Sequence, residues 1–345
     1  MSGVPDHAEA RTATWVVCVV SALAAVAVFL ATGTAVAGTS LVIVGGLVLV
    51  PASLHLVYTR LRPDPFIGPV AGGLAALVWS GATVGLTALA ALRTQAPLVD
   101  ASLARADAVL GVHAPALVAW VALHPPVGAM LDIVYMSTVP AVFATVALLG
   151  WTGCEAAMWD LCFAFAGSAM TCTLLSAFVP AAGAFSHYGM SPGVLALLPA
   201  GAGRYYLPVF DAYRSGVLTT ADIRHVDGVV SFPSFHAAMA LMTAHALRDV
   251  PRLLGPALAW CGLVLASTIP IGGHYVADVL AGAVVWAGFA LPPRARSVLF
   301  RVVRATRSRG VGQFQTGPWQ SGSKQGWALP RPARGEAPPG PALLK

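Results

Sequence analysis

The chain has 345 residues, 57% of them hydrophobic and only 10% charged. A soluble domain of this length carries roughly a quarter charged residues, so this chain cannot cover a water-facing surface and most of it must face lipid. Its formal charge is +6, but ten of the 20 Lys and Arg lie between Arg294 and Lys345, which implies a basic tail beside a membrane and no nucleic-acid partner.

A membrane span needs about 20 apolar residues. In chain order the candidates are Thr14–Val36, Ser40–Tyr58, Phe66–Leu92, Val127–Gly150, Ala157–Val179, a short Pro233–Leu247, Leu253–Ile269 and Gly273–Leu291. The expected fold class is therefore all-α and integral to a membrane, with about eight transmembrane helices. The first run lacks a clear cleavage site and reads as a span, not a removed signal peptide. Thr94–Pro126 mixes Leu98, Leu103, Leu110 and Leu117 with Asp100, Arg105 and Asp107, the pattern of an amphipathic helix lying at the interface. Pro180–Val230 is a polar-rich connection. Beyond Pro292 the Arg, Gly, Pro and Gln content predicts disorder. Cys18, Cys154, Cys162, Cys172 and Cys261 have no metal-ligand spacing and read as small apolar residues.

The expected divisions are a cytoplasmic segment at 1–13, N-terminal spans plus the interfacial helix at 14–126, a catalytic membrane domain at 127–291, and the tail at 292–345. Arginines crowd the cytoplasmic ends of spans. Arg294, Arg296, Arg301 and Arg304 follow the last span. Counting back, Arg248 and Arg252, Arg60 and Arg62, and Arg11 fall on that same side. Both termini are thus expected in the cytoplasm of a cell-membrane protein. Arg204, Arg214 and Arg224 stand together on the outer side, either as ordinary solvated charges or for a functional reason.

Two short motifs carry chemistry. Ser231-Phe-Pro-Ser-Phe-His236 opens the sixth span, and Ser267-Thr-Ile-Pro-Ile-Gly-Gly-His-Tyr-Val-Ala-Asp278 leads into the eighth. Each histidine alone could be a structural residue. Together they are 38 residues apart, one span down and one back, so both return to the outer face. Asp278, four residues past His274, lies one helical turn away and can fix the tautomer of its imidazole. Pro233 suits a first helical turn, Ser234 can cap it, and the free N–H groups there favour a phosphate. Gly272 and Gly273 would let a substrate approach the backbone. Such a set can transfer a phosphoryl group, with no cofactor and no metal implied; activity is expected to survive chelators.

The pattern Pro233-Ser234-x-His236 followed by Ser267-x(6)-His274-x(3)-Asp278 resembles the second and third signatures of the type-2 phosphatidic acid phosphatases (PAP2). Phe235 and the Gly-Gly-His-Tyr wording are closer to the branch with inositol-phosphorylceramide and sphingomyelin synthases. The resemblance covers about Gly228–Ala283, with a weaker extension to Asp132–Tyr135. It implies a six-helix catalytic core in which His274 attacks phosphorus, Asp278 orients it, and His236 protonates the leaving alkoxide. Ser234, Ser267 and Gly273 would bind substrate. The family's first, basic signature is missing, since no lysine precedes Lys324, and Thr268 stands where an Arg is usual. Arg214 and Arg224 are the preferred replacements, with Arg204 and His225 also available.

The expected activity is hydrolysis of a lipid phosphate or diphosphate at the outer face, with the headgroup at the histidines and the chains in the bilayer. The alternative is transfer of a phospho-headgroup to a lipid alcohol. A third reading, a non-catalytic lipid transporter, is favoured by the missing signature and opposed by the complete Ser-His-His-Asp set.

Overall fold

A computed structural model describes residues 7–226 and 228–290. The disordered tail expected at 292–345, with its arginines, lies outside these residues, as does the beginning of the 1–13 segment. The architecture is all-α, and several long apolar helices make this a multi-pass membrane protein. Helices α1 (His7–Thr32), α2 (Gly38–Leu56) and α3 (Ile67–Leu92) occupy the first three expected spans. With α8 (Glu155–Phe178), and with α2 prolonged by a π-helical turn, they are long and apolar enough to cross a membrane. Helices α3 and α8 are mostly buried, whereas α2 faces outward. Small residues let the buried helices approach closely: a Cβ on Gly73 would meet Val146 Cγ1 at 2.8 Å, and one on Gly150 would meet Val70 Cγ2 at 2.6 Å.

The other expected spans are modified. The fourth is α6 (Pro125–Met136) and α7 (Thr138–Trp151), interrupted at Ser137. Pro140 has no N–H for the Met136 carbonyl, which explains the break. The last three are α12 (Phe235–Ala246), α13 (Pro251–Ser267) and α14 (Val276–Phe289), with 12, 17 and 14 residues. These are shorter than a lone lipid-facing span. Most of α12 is buried in protein, however, where backbone at membrane depth need not match the bilayer.

Thr94–Pro126 is not one interfacial helix. It forms α4 (Asp100–Val109) and α5 (Ala114–Ala122), separated at Gly111, whose φ is +73°. Helix α5 then bends by 113° into α6. The polar face of α4 is turned inward: Asp100 and Asp107 are buried, because both have backbone donors waiting in the interior.

The legs alternate in direction. The ends of α1, α3, α8 and α13 gather with the starts of α2, α6, α12 and α14. At that end, β1 (Ala35–Val36) pairs in parallel with β2 (Thr220–Ala221), and Val99 N–H donates to Pro180 O at 3.0 Å. At the opposite end His55 Nδ1 lies 2.7 Å from Gly68 O, and Thr14 Oγ1 donates to Trp159 O at 3.3 Å. The Pro180–Val230 connection is a folded cap containing α9 (Ala184–Tyr188), α10 (Pro192–Leu197) and α11 (Leu207–Arg214). It is anchored by buried Phe185, Tyr206, Phe210 and Tyr213.

Candidate active site

Ser234 is the N-cap of α12, and its hydroxyl accepts from Ala237 N–H. Pro233 stands before the cap, not in the first turn. Ser234 is fully buried and His274 only 3% exposed. The Ser234 Oγ lies 3.3 Å from His274 Nε2. On the other side of the ring, His274 Nδ1 is 3.3 Å from Asp278 Oδ2. With a carboxylate accepting at Nδ1, the proton resides there and the Nε2 lone pair is left toward Ser234.

The His274–Asp278 contact does not come from two residues within one helix. His274 precedes α14, and Asp278 reaches back from its first turn, where Oδ2 also accepts from Tyr275 N–H at 2.9 Å and Ser231 Oγ at 3.3 Å. Backbone joins the two motifs directly: Ser234 N–H donates to Asp278 O at 3.0 Å. Gly282 is required one turn later, because a Cβ there would run into Ser234 O.

His236 is the second residue of α12, with its ring centroid 6.3 Å from that of His274. Tyr135 of α6 stacks on it at 4.2 Å and 20°. The Tyr135 hydroxyl is 3.1 Å from His236 Nδ1 and 3.2 Å from the Tyr205 hydroxyl. This phenol chain leaves Nε2 as the His236 nitrogen for a substrate oxygen.

The loop carrying His274 is gripped from outside the motifs. Asp107 accepts from the N–H groups of Val276 and Ala277, each at 2.9 Å, at the start of α14. Asp100 accepts from Ala182 and Gly183 N–H at 2.9 and 2.8 Å, and from the Tyr275 hydroxyl at 3.1 Å. The cap closes the other side: Gly203 N–H donates to Ile271 O at 2.6 Å, and Ala184 N–H to Gly273 O at 2.7 Å.

Of the expected site residues, Ser234, His236, His274 and Asp278 come together, and the rest do not join them. Ser267 is buried with its hydroxyl bonded back to Val264 O at 2.7 Å, as helical serines do when they face protein. Gly273 has φ +77°, and an added Cβ would meet Gly203 backbone at 2.9 Å. The bare side of Gly272 faces Thr268 O, Tyr135 and His274. These glycines make room for protein, not for an approaching substrate. Arg224 is ion-paired with Asp222 through Nε and Nη2. Arg214 donates from Nη2 to Ala96 O at 2.6 Å, and the Tyr213 hydroxyl lies 3.2 Å from His225 Nδ1. Arg204 is exposed and follows Gly203, the residue packed against Gly273. Among the described residues no group of three or more His, Cys, Asp or Glu could hold a metal ion.

Sequence reasoning passed over Tyr135, Tyr205, Asp100 and Asp107. The two aspartates carried a signal: in a chain with so few charges, carboxylates seven residues apart share one helical face. A family model described as the PAP2 superfamily matches residues 101–291, more than half of the chain. No curated protein and no solved structure matches it.

Proposed function

Because the chain belongs to the PAP2 superfamily, we propose that it cleaves the phosphate ester of a membrane lipid, a phosphate or diphosphate, through a phosphohistidine on His274. The observation that carries this reading is the buried line Ser234 Oγ, His274 Nε2, His274 Nδ1, Asp278 Oδ2, with 3.3 Å at each contact. Asp278 holds the Nδ1 proton, so Nε2 attacks phosphorus with its lone pair. As the N–P bond forms, the bond from the terminal phosphorus to the leaving oxygen breaks, an alkoxide from a monophosphate or a lipid phosphate from a diphosphate, and His236 gives that oxygen a proton. Water then attacks phosphorus while His236 takes its proton, the N–P bond breaks, and phosphate leaves. Ser234 moves its hydrogen bond from Nε2 to a phosphate oxygen. The N–H groups at the start of α12 add a favourable field for the anion.

On this reading residues 127–291 with α4 form the catalytic membrane domain, and 14–92 a flanking set of spans. The site lies at the outer face. Arg11 in the first turns of α1, Arg60 and Arg62 at the end of the π-helical turn, and Arg248 and Arg252 between α12 and the first turn of α13 lie at the opposite end of the bundle, which supports a cytoplasmic position for that end. Phe235 and the Gly272-Gly273-His274-Tyr275 wording favour a second reading, transfer of the phospho-headgroup to a lipid alcohol in place of water.

The test is phosphate release from a panel of lipid phosphates and diphosphates by wild type and His274→Ala in detergent. Release by wild type and its loss in His274→Ala is the expected result; equal release by both overturns the reading. Labelled phospholipid with and without a lipid alcohol then separates hydrolysis from transfer.

A further inference from the structure

A cavity of about 580 Å³ lies beside the candidate site. One wall is α3, through Val78, Gly81, Ala82 and Gly85, and a second is α2, through Val44 and Leu47. Helices α7 and α8 add Phe143, Phe165 and Ala169. Among the described residues no charged side chain lines it. Its polar groups gather largely at the end where Tyr135, Tyr205 and His236 reach the wall. Neither Ser234 nor His274 lines it, so the cavity meets the site at the proton-transferring histidine, not at the nucleophile.

The opposite margin is apolar and exposed. Leu47 is 56% exposed, Met136 55% and Val139 44%. In a membrane protein such side chains face lipid, so the space between α2 and the α6–α7 leg is open sideways to the bilayer. A volume of this size belongs to the range, about 300–1,000 Å³, that encloses a small ligand. Its described wall is almost wholly apolar, which suits a hydrocarbon chain and offers little to offset the lost hydration of a charge.

We propose that this cavity binds the apolar chain of the lipid alcohol whose oxygen is protonated or deprotonated by His236, and that α2 and α3 set the chain length accepted. The inference rests on the phosphoryl-transfer reading for its polar end. The chain enters between α2 and α7, its oxygen stops at His236, and the attached phosphorus lies toward His274. Both the leaving alkoxide of a hydrolysed ester and the attacking oxygen of an acceptor alcohol occupy this position. Helices α2 and α3 precede the family-matched region, residues 101–291. Chain selection therefore belongs to a part of the molecule that the catalytic motifs do not describe.

Gly81 provides the test. A Cβ added there meets nothing within 4 Å, and replacing a helical glycine also removes its entropic cost. Gly81→Phe therefore fills the cavity without breaking the helix. Full-length protein in mixed micelles is assayed with butyl phosphate and hexadecyl phosphate. The variant is expected to lose roughly tenfold in kcat/KM on the long ester for every two methylenes it excludes, and to keep its rate on the short one. Val42→Phe, on the outward face of α2, is expected to match wild type on both. An unchanged ratio of long to short turnover in Gly81→Phe overturns the inference.

A second measurement does not depend on turnover. Hexadecyl phosphate and hexadecanol, each with a photoreactive group at the chain end, are cross-linked to His274→Ala and to His274→Ala/Gly81→Phe. Labelling confined to peptides that line the cavity, within residues 38–92, 135–143 and 165–173, and lost on adding Gly81→Phe, supports the cavity. Labelling spread over the outer faces of the helices, with no response to Gly81→Phe, overturns it. If wild type hydrolyses neither ester, the phosphatase reading fails and the labelling still decides the cavity.

Discussion

Tyr135 lies flat against His236, 4.2 Å away, and places its hydroxyl 3.1 Å from Nδ1 of the same ring. One side chain thus fixes both the plane of the imidazole and the nitrogen left for substrate. The partner comes from α6, 101 residues earlier, and has the same relation to His236 that Asp278 has to His274. A carboxylate suits the histidine that must attack. A neutral phenol suits the one that must give and take a proton.

Tyr135→Phe tests this division. It keeps the stack and removes the hydroxyl that meets His236 Nδ1. A buried polar group without a partner costs about 1–3 kcal/mol, so kcat is expected to fall roughly 5- to 150-fold, with little change in KM. The pH–rate profile should shift, which a merely structural residue would not produce. An unchanged profile and rate would assign Tyr135 to packing alone.

Asp278→Asn preserves shape but removes the charge that accepts the Nδ1 proton. The amide oxygen can still accept from Tyr275 N–H, so thermal unfolding in detergent should change little. Activity should drop by about 10²–10⁴-fold, the range for loss of general acid–base assistance. Phosphate release and an unfolding curve on the same preparation check both halves.

Asp107→Ala removes the side-chain acceptors of two backbone N–H groups at the start of α14. Loss of a helix cap costs roughly 0.5–2 kcal/mol, and burial puts this case at the upper end. A lower unfolding temperature and reduced kcat are expected together, because the same loop carries His274. Asp107→Asn retains an acceptor and should recover part of both. Full activity in Asp107→Ala would mean that the His274 loop holds without α4.

Arg204 and Arg224 should differ. Arg204 lies one residue from Gly203, which packs on the His274 loop, and Arg204→Ala is expected to raise KM for a lipid phosphate severalfold, more so at low salt. Arg224 holds Asp222 beside the N-terminus of α2. Hydrogen bonds from its guanidinium, then from its backbone N–H, keep the Asp222 carboxyl well below the usual aspartate range. A depressed carboxyl stabilises the fold above its unfolded value, about 3.9, and loses that contribution as pH falls through the folded one. The 219–226 clip should therefore resist proteolysis throughout mildly acid conditions in wild type. In Arg224→Ala the carboxyl returns toward its ordinary value, and cleavage should begin at higher pH.

Much of the candidate site is legible from residue order. That Ser234, His236, His274 and Asp278 meet follows from spacing and from the alternation of spans. The long helices are equally plain, since α1, α2, α3 and α8 are near-continuous apolar runs. What escapes are contacts whose partners are distant in the chain. Asp100 and Asp107 read as the wet side of an interfacial helix, because no periodicity reveals that backbone N–H groups await them 82 and 83 residues later for Asp100, 169 and 170 for Asp107. Gly273 reads as an opening for substrate because a sequence shows that a side chain is missing but not what fills the space. Arg214 and Arg224 read as available cations because the Ala96 carbonyl and the geometry of Asp222 belong to tertiary structure.

The grip of α4 on the start of α14 also bears on how the protein is made. Asp107 and Asp100 leave the ribosome long before Val276 and Tyr275, separated from them by 169 and 175 residues. Asp100 finds its backbone donors at Ala182 and Gly183, but until the last leg is in place Asp107 lacks those of Val276 and Ala277, and an unpaired charge does not enter a dry interior. Helix α4 must then wait at the water boundary, and the loop with His274 settles only when its final partners arrive. Closing so long a loop is slow, though it adds little to the thermodynamic cost. The His274 imidazole is thus among the last groups to be set, and a chain halted before α14 holds Asp107 with nothing to grasp.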